Sequence, residues 1–434
     1  MQKNVGVCGP NDLPGQVVLV LQGGGALGSY QAGVYQALHE AGIEPDWVIG
    51  TSIGAINGSL IAGNAPENRL ARLKEFWKRM EQNPVWALGG AFPDFSEKLA
   101  YLSTVTNGIP GFFRPNPLAH AGDSFPLGAD HAGFYSTAPL EKTLSELVDF
   151  DLANRCAPRL TVGAAHVGTS EMRYFDSRDG ELTVKHVMAS GALPPAFPAV
   201  RIDGELYWDG GILSNTPTEA VFDDNPRRDS LIFSVHLWNS VGAEPTTMAE
   251  VLNRHKDVQY SSRIASQIVR QQQAHRLRHV INQLAARLPE SERNDPAVRE
   301  LMSYGCPTRM HVVRLLAPQL DRETHTKDID SVRRALRGAG MRATPIRGRC
   351  WRESRGSANS IRSPAWCCTS IWTRCRWRRS RAASAFIELP QALRIVGRRP
   401  LLRGLAVGIR ERSGIGPRSG SRRRRGTGCR CVRS

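Results

Sequence analysis

Apolar and polar positions alternate with turn signals from the start of the chain. Val17-Val-Leu-Val-Leu21 is an unbroken apolar run of strand length, the pattern of a parallel strand buried on both faces. It stops at Gly23-Gly-Gly-Ala-Leu-Gly28, after which Tyr30, Val34, Ala37 and Leu38 recur at helical spacing. A second short strand, Asp46-Trp-Val-Ile-Gly50, leads through Thr51-Ser52-Ile53-Gly54 into an apolar helix over 55–62. The spacing predicts a strand, helix, strand, helix unit. Because such crossovers are right-handed, both turns fall at the carboxyl ends of neighbouring parallel strands and face one crevice.

The pattern continues with a helix over 67–80 that places Leu70, Leu73, Phe76, Trp77 and Met80 on one face. Residues 83–136 are irregular and rich in glycine, proline and aromatics, among them Trp86, Phe92, Phe95, Phe112, Phe113, Phe125 and Phe134. A segment of that length serves either as a cap that admits an apolar chain to the crevice or as a loop-rich insertion with its own small core. Helical period returns over 139–150, strands are predicted at 160–167 and 172–176, and Asp203-Gly204 marks a hairpin whose second strand runs into Asp209-Gly210-Gly211. A buried strand at 231–238, a largely helical stretch over 248–288 and a late strand at 310–316 complete the pattern.

Three of these turns carry candidate chemistry. Ser52 lies within Gly50-x-Ser-x-Gly54, a strand-to-helix turn too sharp for bulky neighbours, which is expected to expose its hydroxyl to the crevice as a nucleophile. The turn containing Gly23, Gly24, Gly25 and Gly28 presents bare N–H groups at the amino end of a helix, where an oxyanion is favoured. Asp209, at a strand end before Gly210 and Gly211, is placed to accept the serine proton. Taken singly, each motif has another reading. Gly23-x-Gly25-x-x-Gly28 is also a dinucleotide fingerprint, for which Glu44 or Asp46 would have to bind the ribose, although Asp46 precedes its strand. Most Asp-Gly pairs are only turns. A Ser-His-Asp triad stays open, with His166, His236, His255, His311 and His325 available but none in a recognisable motif.

Charge splits the chain in two. The formal charge is +17, yet residues 331–434 hold 27 Arg, no Lys and only three acids (Glu353, Glu388, Glu411), a net of +24, which leaves residues 1–330 at −7. Cysteine usage divides at the same place: Cys8, Cys156 and Cys306 are scattered, while the other six, including Cys367-Cys368 and Cys429-x-Cys431, cluster in the tail without the spacing of a zinc site. No metal or cofactor is expected. The first 16 residues lack the apolar core of a signal peptide, and no run reaches the roughly 18 apolar residues of a membrane span. A cytoplasmic protein that meets a membrane only at its inner surface is the expectation.

The three motifs in this order resemble those of the patatin-like phospholipase family: the glycine-rich turn (Gly23 to Gly28), the Gly-x-Ser-x-Gly elbow (Gly50 to Gly54) and the Asp-Gly-Gly at Asp209, Gly210 and Gly211. Ala189-Ser-Gly-Ala-Leu-Pro-Pro-Ala-Phe-Pro198 is similar to the family's stretch ahead of the aspartate. The resemblance covers roughly residues 17–240 and implies a three-layer α/β/α core with a mainly parallel sheet. It also implies a Ser52–Asp209 dyad, an oxyanion hole in the glycine turn, and hydrolysis of a lipid or other ester through an acyl-enzyme. Many members carry a basic residue in the turn where this chain has Leu27, so that positive charge is missing.

The expected organisation is a flexible amino terminus (1–16), a hydrolase domain (17–240, with 83–136 as the candidate cap), a mainly helical extension (241–330) similar to that of a bacterial branch of the family, and an Arg-rich tail (331–434) without packed structure. The tail's lack of Lys fits out-of-frame GC-rich codons better than a basic binding segment, which would accept both cations. Two other function classes follow from the same residues: a nucleotide-binding or regulatory module on the glycine turn, and a nucleic-acid or anionic-membrane binder acting through the tail.

Overall fold

The computed structural model describes residues 13–81, 104–120, 126–318, 327–330 and 366–371. Their centre is a sheet in the order β11-β10-β9-β1-β2-β5-β8-β7, with β6 paired to β5 off this path. Strands β1 (Gln16–Leu21), β2 (Trp47–Thr51), β5 (Arg159–His166), β9 (Ser230–His236), β10 (Met310–Leu316) and β11 (Trp366–Ile371) run parallel. Antiparallel pairing in this sheet is confined to one side, where β6 (Met172–Asp176), β7 (Val200–Ile202) and β8 (Glu205–Asp209) join β5 and one another. The short strands β3 (Arg114–Pro115) and β4 (Tyr135–Ser136) form a separate antiparallel pair. The hairpin between β7 and β8 turns on Asp203 and Gly204, both at positive φ, as a tight two-residue turn requires.

Alternation along β1 shows why the sheet is covered on both faces. Val17, Leu19 and Leu21 enter one apolar cluster with α1 (Ser29–Glu40), α2 (Ile53–Ala62) and α3 (Pro66–Met80). Val18 and Val20 enter another with Trp47, Ile49, Phe222 and Val312. The second cluster is covered by the short helix Glu219–Phe222 and the long helix Met248–Ala285, whose Arg278 reaches the Phe222 carbonyl at 3.0 Å. Strands buried on both faces can dispense with polar alternation, which is why 17–21 reads as a continuous apolar run. The expected three-layer α/β/α architecture with a mainly parallel sheet is the one observed.

Helix boundaries follow local chemistry. α3 begins with Pro66 at its first turn and Glu67 beside it, ends with Lys78 and Arg79, and buries Leu73, Phe76, Trp77 and Met80. The 38-residue helix Met248–Ala285 starts at a capping box in which Thr247 and Glu250 satisfy each other's backbone N–H groups. Among the described residues no helix is long and apolar enough to cross a membrane.

One expectation needs correction. The Arg-rich tail is read from sequence as lacking packed structure, yet Trp366–Ile371 forms an edge strand, parallel to β10 from Met310↔Trp366 to Leu315↔Ile371. The stretch Trp366-Cys-Cys-Thr-Ser-Ile371 contains no arginine and is rich in β-forming residues, as an edge strand requires. The rest of 331–434, most of 1–16, and Trp86, Phe92, Phe95 and Phe125 lie outside the described residues.

Candidate active site

Ser52 stands between β2 and α2 at φ 57° and ψ −126°, a backbone conformation that costs a non-glycine residue about 1–3 kcal/mol. Its surroundings enforce it. A Cβ on Gly50 would run into the Gly54 carbonyl, and one on Gly54 into the Leu21 carbonyl, so strand and helix meet at a spacing only glycine allows. The Ser52 N–H donates to the Ser190 hydroxyl at 2.9 Å, and that hydroxyl donates to the Gly163 carbonyl at 2.6 Å. Ser52 is half-buried at the wall of a cavity.

Sheet pairing brings Asp209 to the serine. Thr51 pairs with Gly163 across β2 and β5, and Ala164 pairs with Asp209 across β5 and β8. The residue after Thr51 therefore meets a residue 157 positions later. Asp209 is 3% exposed, and burial pushes its carboxyl up to about 6, against hydrogen bonding from the Ser52 side chain and the Gly211 N–H that favours the ionised form. The Gly211 N–H donates to Asp209 Oδ1 at 2.7 Å, fixing the carboxylate at the start of its turn. Gly210 is needed for packing, because a Cβ there would strike the Gly163 carbonyl.

The glycine turn faces the same cavity. Gly23 exchanges backbone and side-chain bonds with Asn215: its N–H donates to the Asn215 carbonyl at 3.0 Å, and Asn215 Nδ2 donates to the Gly23 carbonyl at 3.1 Å. Trp238 Nε1 donates to the same carbonyl at 2.8 Å. Gln22 Oε1 accepts the N–H groups of Leu237 and Trp238 at 2.5 and 3.2 Å, tying the end of β1 to the segment after β9. Gly25 lies at φ +54°, and the N–H groups of Gly24, Gly25 and Ala26 have no hydrogen-bond partner among the described residues. Gly28 does not line the cavity; a Cβ there would press on Ile53, which marks it as the contact between the two helices. Leu27 is buried in the core.

The cavity holds about 230 Å³. Ser52, Asp209, Gly23 to Gly25, Gly211 and Asn215 form its polar end, while Ile53, Ile56, Trp77 and Met80 line the apolar remainder together with residues of the 83–136 segment. Phe113 packs against Tyr135 and Phe197 with ring centroids 4.8 and 5.5 Å apart, and Phe112 against Phe197 at 6.0 Å. The cavity's only charged lining residues among those described are Asp209 and Asp328.

None of the candidate histidines lines this cavity among the described residues. His166 pairs with Glu205 at 3.2 Å, and His236 is buried, with burial and the nearby Arg314 charge pushing it down to about 3. His325 lies outside the described residues. The carboxylates wanted by the dinucleotide reading are engaged at the opposite end of the sheet. Asp46 accepts the Val17 N–H at 2.7 Å, and Glu44 pairs with Arg69 at 2.5 Å.

Sequence reasoning missed Asn215, Trp238, Gln22 and the role of Ser190. Ser190 lies in the quoted stretch 189–198, and Asn215 precedes Pro217 shortly after Asp209, a turn signal that was there to be read. Nothing local marks Gln22 or Trp238, since their contacts join residues more than 200 positions apart.

Comparison with known proteins gives this geometry a lineage. A family model described as patatin-like phospholipase matches residues 19–222, and one described as patatin phospholipase matches 258–339. Lysophospholipase nte1 of Aspergillus terreus is 48% identical over 262 residues, which is 55% of this chain and 14% of that protein. Lysophospholipase NTE1 of Phaeosphaeria nodorum is 46% identical over 263 residues, 55% of this chain and 15% of that protein. The chain thus spans about a seventh of the length of these curated relatives. Among solved structures, VipD from Legionella pneumophila aligns over 75% of this chain and 67% of its own at 17% identity and a TM-score of 0.30, too distant a likeness to carry an argument. With both family matches falling on the sheet, the three motif-bearing turns and the helical extension, the chain belongs to the patatin-like phospholipase family.

Proposed function

We propose that this chain is a serine lipid acyl hydrolase that uses a Ser52–Asp209 dyad. Ser52 Oγ attacks the ester carbonyl carbon while its proton passes to Asp209, and the carbonyl electron pair moves onto oxygen. The N–H groups of Gly24, Gly25 and Ala26, which have no partner among the described residues, receive that oxyanion. Collapse expels the alcohol, which takes the proton back from Asp209, and leaves an acyl-enzyme. Water then repeats the sequence and releases the fatty acid.

The observation that carries this reading is the meeting of Ser52, the buried Asp209 and the turn amides at one end of an apolar cavity. A carboxyl raised to about 6 is ionised at neutral pH yet is a stronger base than an ordinary carboxylate, which suits proton abstraction from a hydroxyl. The aromatic wall supplied by Phe112, Phe113, Tyr135 and Phe197 suits an acyl chain, so the described residues 104–113 and Tyr135, with Phe197, form the surface that receives it. The lining carries no cation among the described residues to bind a phosphate inside. The headgroup therefore stays at the mouth, facing the lipid surface from which the substrate is drawn. The relatives named as lysophospholipases fit a single-chain lipid as the first substrate to try.

A fluorophosphonate probe followed by peptide mass analysis tests the assignment, alongside a panel of lysophospholipids, diacyl phospholipids, neutral glycerides and short-chain esters. Labelling at Ser52, absent from Ser52→Ala together with fatty-acid release, is the expected result. Labelling elsewhere, or hydrolysis surviving in Ser52→Ala, overturns it.

A further inference from the structure

The carboxyl-terminal extension reaches back to the site. The short helix Lys327–Asp330 packs on the turn Gly25–Gly28 and brings Asp328 into the wall of the Ser52 cavity. The backbone carbonyl of Asp328 occupies the side of Gly25 where a Cβ would stand. The anchor of this helix is a buried ion pair, Lys327 Nζ to Asp257 Oδ1 at 2.8 Å, with side chains only 3% and 4% exposed. Lys327 Nζ also lies 5.4 Å from the centre of the Trp238 ring, and Trp238 holds the Gly23 carbonyl through Nε1. A second pair, Lys256 to Asp328 at 2.7 Å, ties the helix again to Met248–Ala285 nearer the surface.

These contacts converge on a part of the molecule that is weakly determined by itself. Gly23, Gly24 and Gly25 in succession have more conformational freedom than any other tripeptide, and their donors stabilise an oxyanion only if held in place before the reaction. An isolated buried ion pair is a poor way to gain stability, because desolvation offsets its attraction, but it fixes register well. We propose that Lys327 is a positioning residue for the hydrolytic reaction: through its pair with Asp257 and its contact with Trp238 it seats Lys327–Asp330 on Gly25 and holds the turn amides in their catalytic arrangement. The proposal rests on the reading of Ser52 as nucleophile and of the glycine turn as its oxyanion hole. It assigns the extension a part in the chemistry and not only in the packing of the sheet.

The test uses the full chain with the pair replaced together, Lys327→Met with Asp257→Leu, so that no lone charge is left buried. Loss of the seating loosens a donor cluster without removing a donor, so kcat on a soluble short-chain ester is expected to fall about ten- to hundredfold with KM nearly unchanged. Phosphonylation of Ser52 should slow in parallel, and Lys327→Arg should retain most of the rate. Lys256→Met with Asp328→Asn frees the same helix from its outer tie without touching the buried pair, and should lower kcat by about fivefold in a folded protein. Unchanged kcat and labelling in the folded variants overturn the proposal. So does an increase, which would make the helix an inhibitory cover. Failure of the wild-type chain to be labelled at Ser52 would instead sink the dyad reading beneath it.

Discussion

The two turns that face each other across the cavity are built by opposite means. The elbow at Ser52 is locked by steric contact, since Gly50 lets its backbone press on the Gly54 carbonyl and Gly54 on the Leu21 carbonyl of the adjacent strand, and the serine between them sits at positive φ. The glycine turn is locked from a distance, by Asn215, Trp238 and Asp328, each brought in from another part of the chain, and by Gln22 at its entry, which accepts the Leu237 N–H. A nucleophile must stand proud of the sheet, and a tight turn is enough to do that. An oxyanion site must leave several N–H groups unpaired and still rigid, so the bonds that fix it have to go to its carbonyls and flanks. That is where Asn215 and Trp238 bind.

Asp209 meets the elbow at the Ser52 side chain, and on the proposed reading its removal should have the largest effect. Asp209→Asn keeps an acceptor for the Gly211 N–H but loses the base, so kcat/KM on a short-chain ester should fall about 10³-fold or more. In the wild type, kcat/KM should rise with pH up to about 6, where Asp209 ionises, and level off above it. Stability should run the other way. The carboxyl is raised from 3.8 to about 6, so the fold favours the protonated form; that contribution is complete below about pH 4 and is lost as pH rises through 6. The ionised form costs about 3 kcal/mol at pH 8 by the size of the shift, a cost Asn never meets. Thermal unfolding should therefore show the inactive Asp209→Asn variant as the more stable protein at pH 8, with the gap closing near pH 4. A stability gap between variant and wild type of the same size at both pH values would mean that burial does not raise the carboxyl.

Gly54→Ala tests the local lock. Within an ordinary helix this change stabilises, because alanine is the better helix former by about 1 kcal/mol. Here the new methyl would meet the Leu21 carbonyl, and we expect a loss of about 3 kcal/mol or more, read as a lowered urea midpoint. An unaltered midpoint would show that the elbow has slack, and the contrast between the two turns would dissolve.

This difference in construction also explains what the sequence reveals. Ser52, Gly50 and Gly54 are legible because the residues of the turn lie within five positions, even though the Leu21 carbonyl that Gly54 makes room for belongs to the neighbouring strand. The sheet is legible for a similar reason, as strands buried on both faces announce themselves by unbroken apolar runs such as 17–21. Asp209 becomes legible only in company with the other two motifs, because pairing through β5 and not any local pattern brings it to Ser52. The supports of the glycine turn are illegible for the same physical cause. A glutamine or tryptophan side chain has no sequence signature for the carbonyl or N–H it will meet after more than 200 residues. The edge strand Trp366–Ile371 is a different failure: charge averaged over the tail hides six residues that carry none of it.

Asn215→Ala tests the distant lock. It removes the side-chain bond to the Gly23 carbonyl and a wall of the cavity while leaving the backbone bond between the same residues in place. We expect kcat to fall about tenfold, the value of one neutral hydrogen bond transmitted to the transition state, with KM moving less. Equal losses in binding and turnover would point to a wall of the pocket and away from a support of the turn.

Ser190→Ala should have the smallest effect on rate, and the reason separates the two turns most cleanly. The substitution deletes the hydroxyl that accepts the Ser52 N–H and donates to the Gly163 carbonyl, so two buried backbone groups lose a partner. That costs stability, on the order of 1–3 kcal/mol, measurable as a lowered melting temperature. Yet the elbow's shape is set by the collisions that Gly50 and Gly54 avoid, and those remain when the hydroxyl is gone. Ser52 should keep its position and kcat should fall only about threefold, less than in Asn215→Ala despite the larger loss of stability. A turnover defect in Ser190→Ala as deep as that of Asn215→Ala would mean that the nucleophile too is held by side chains from afar, and that steric locking contributes less to the elbow than its glycines imply.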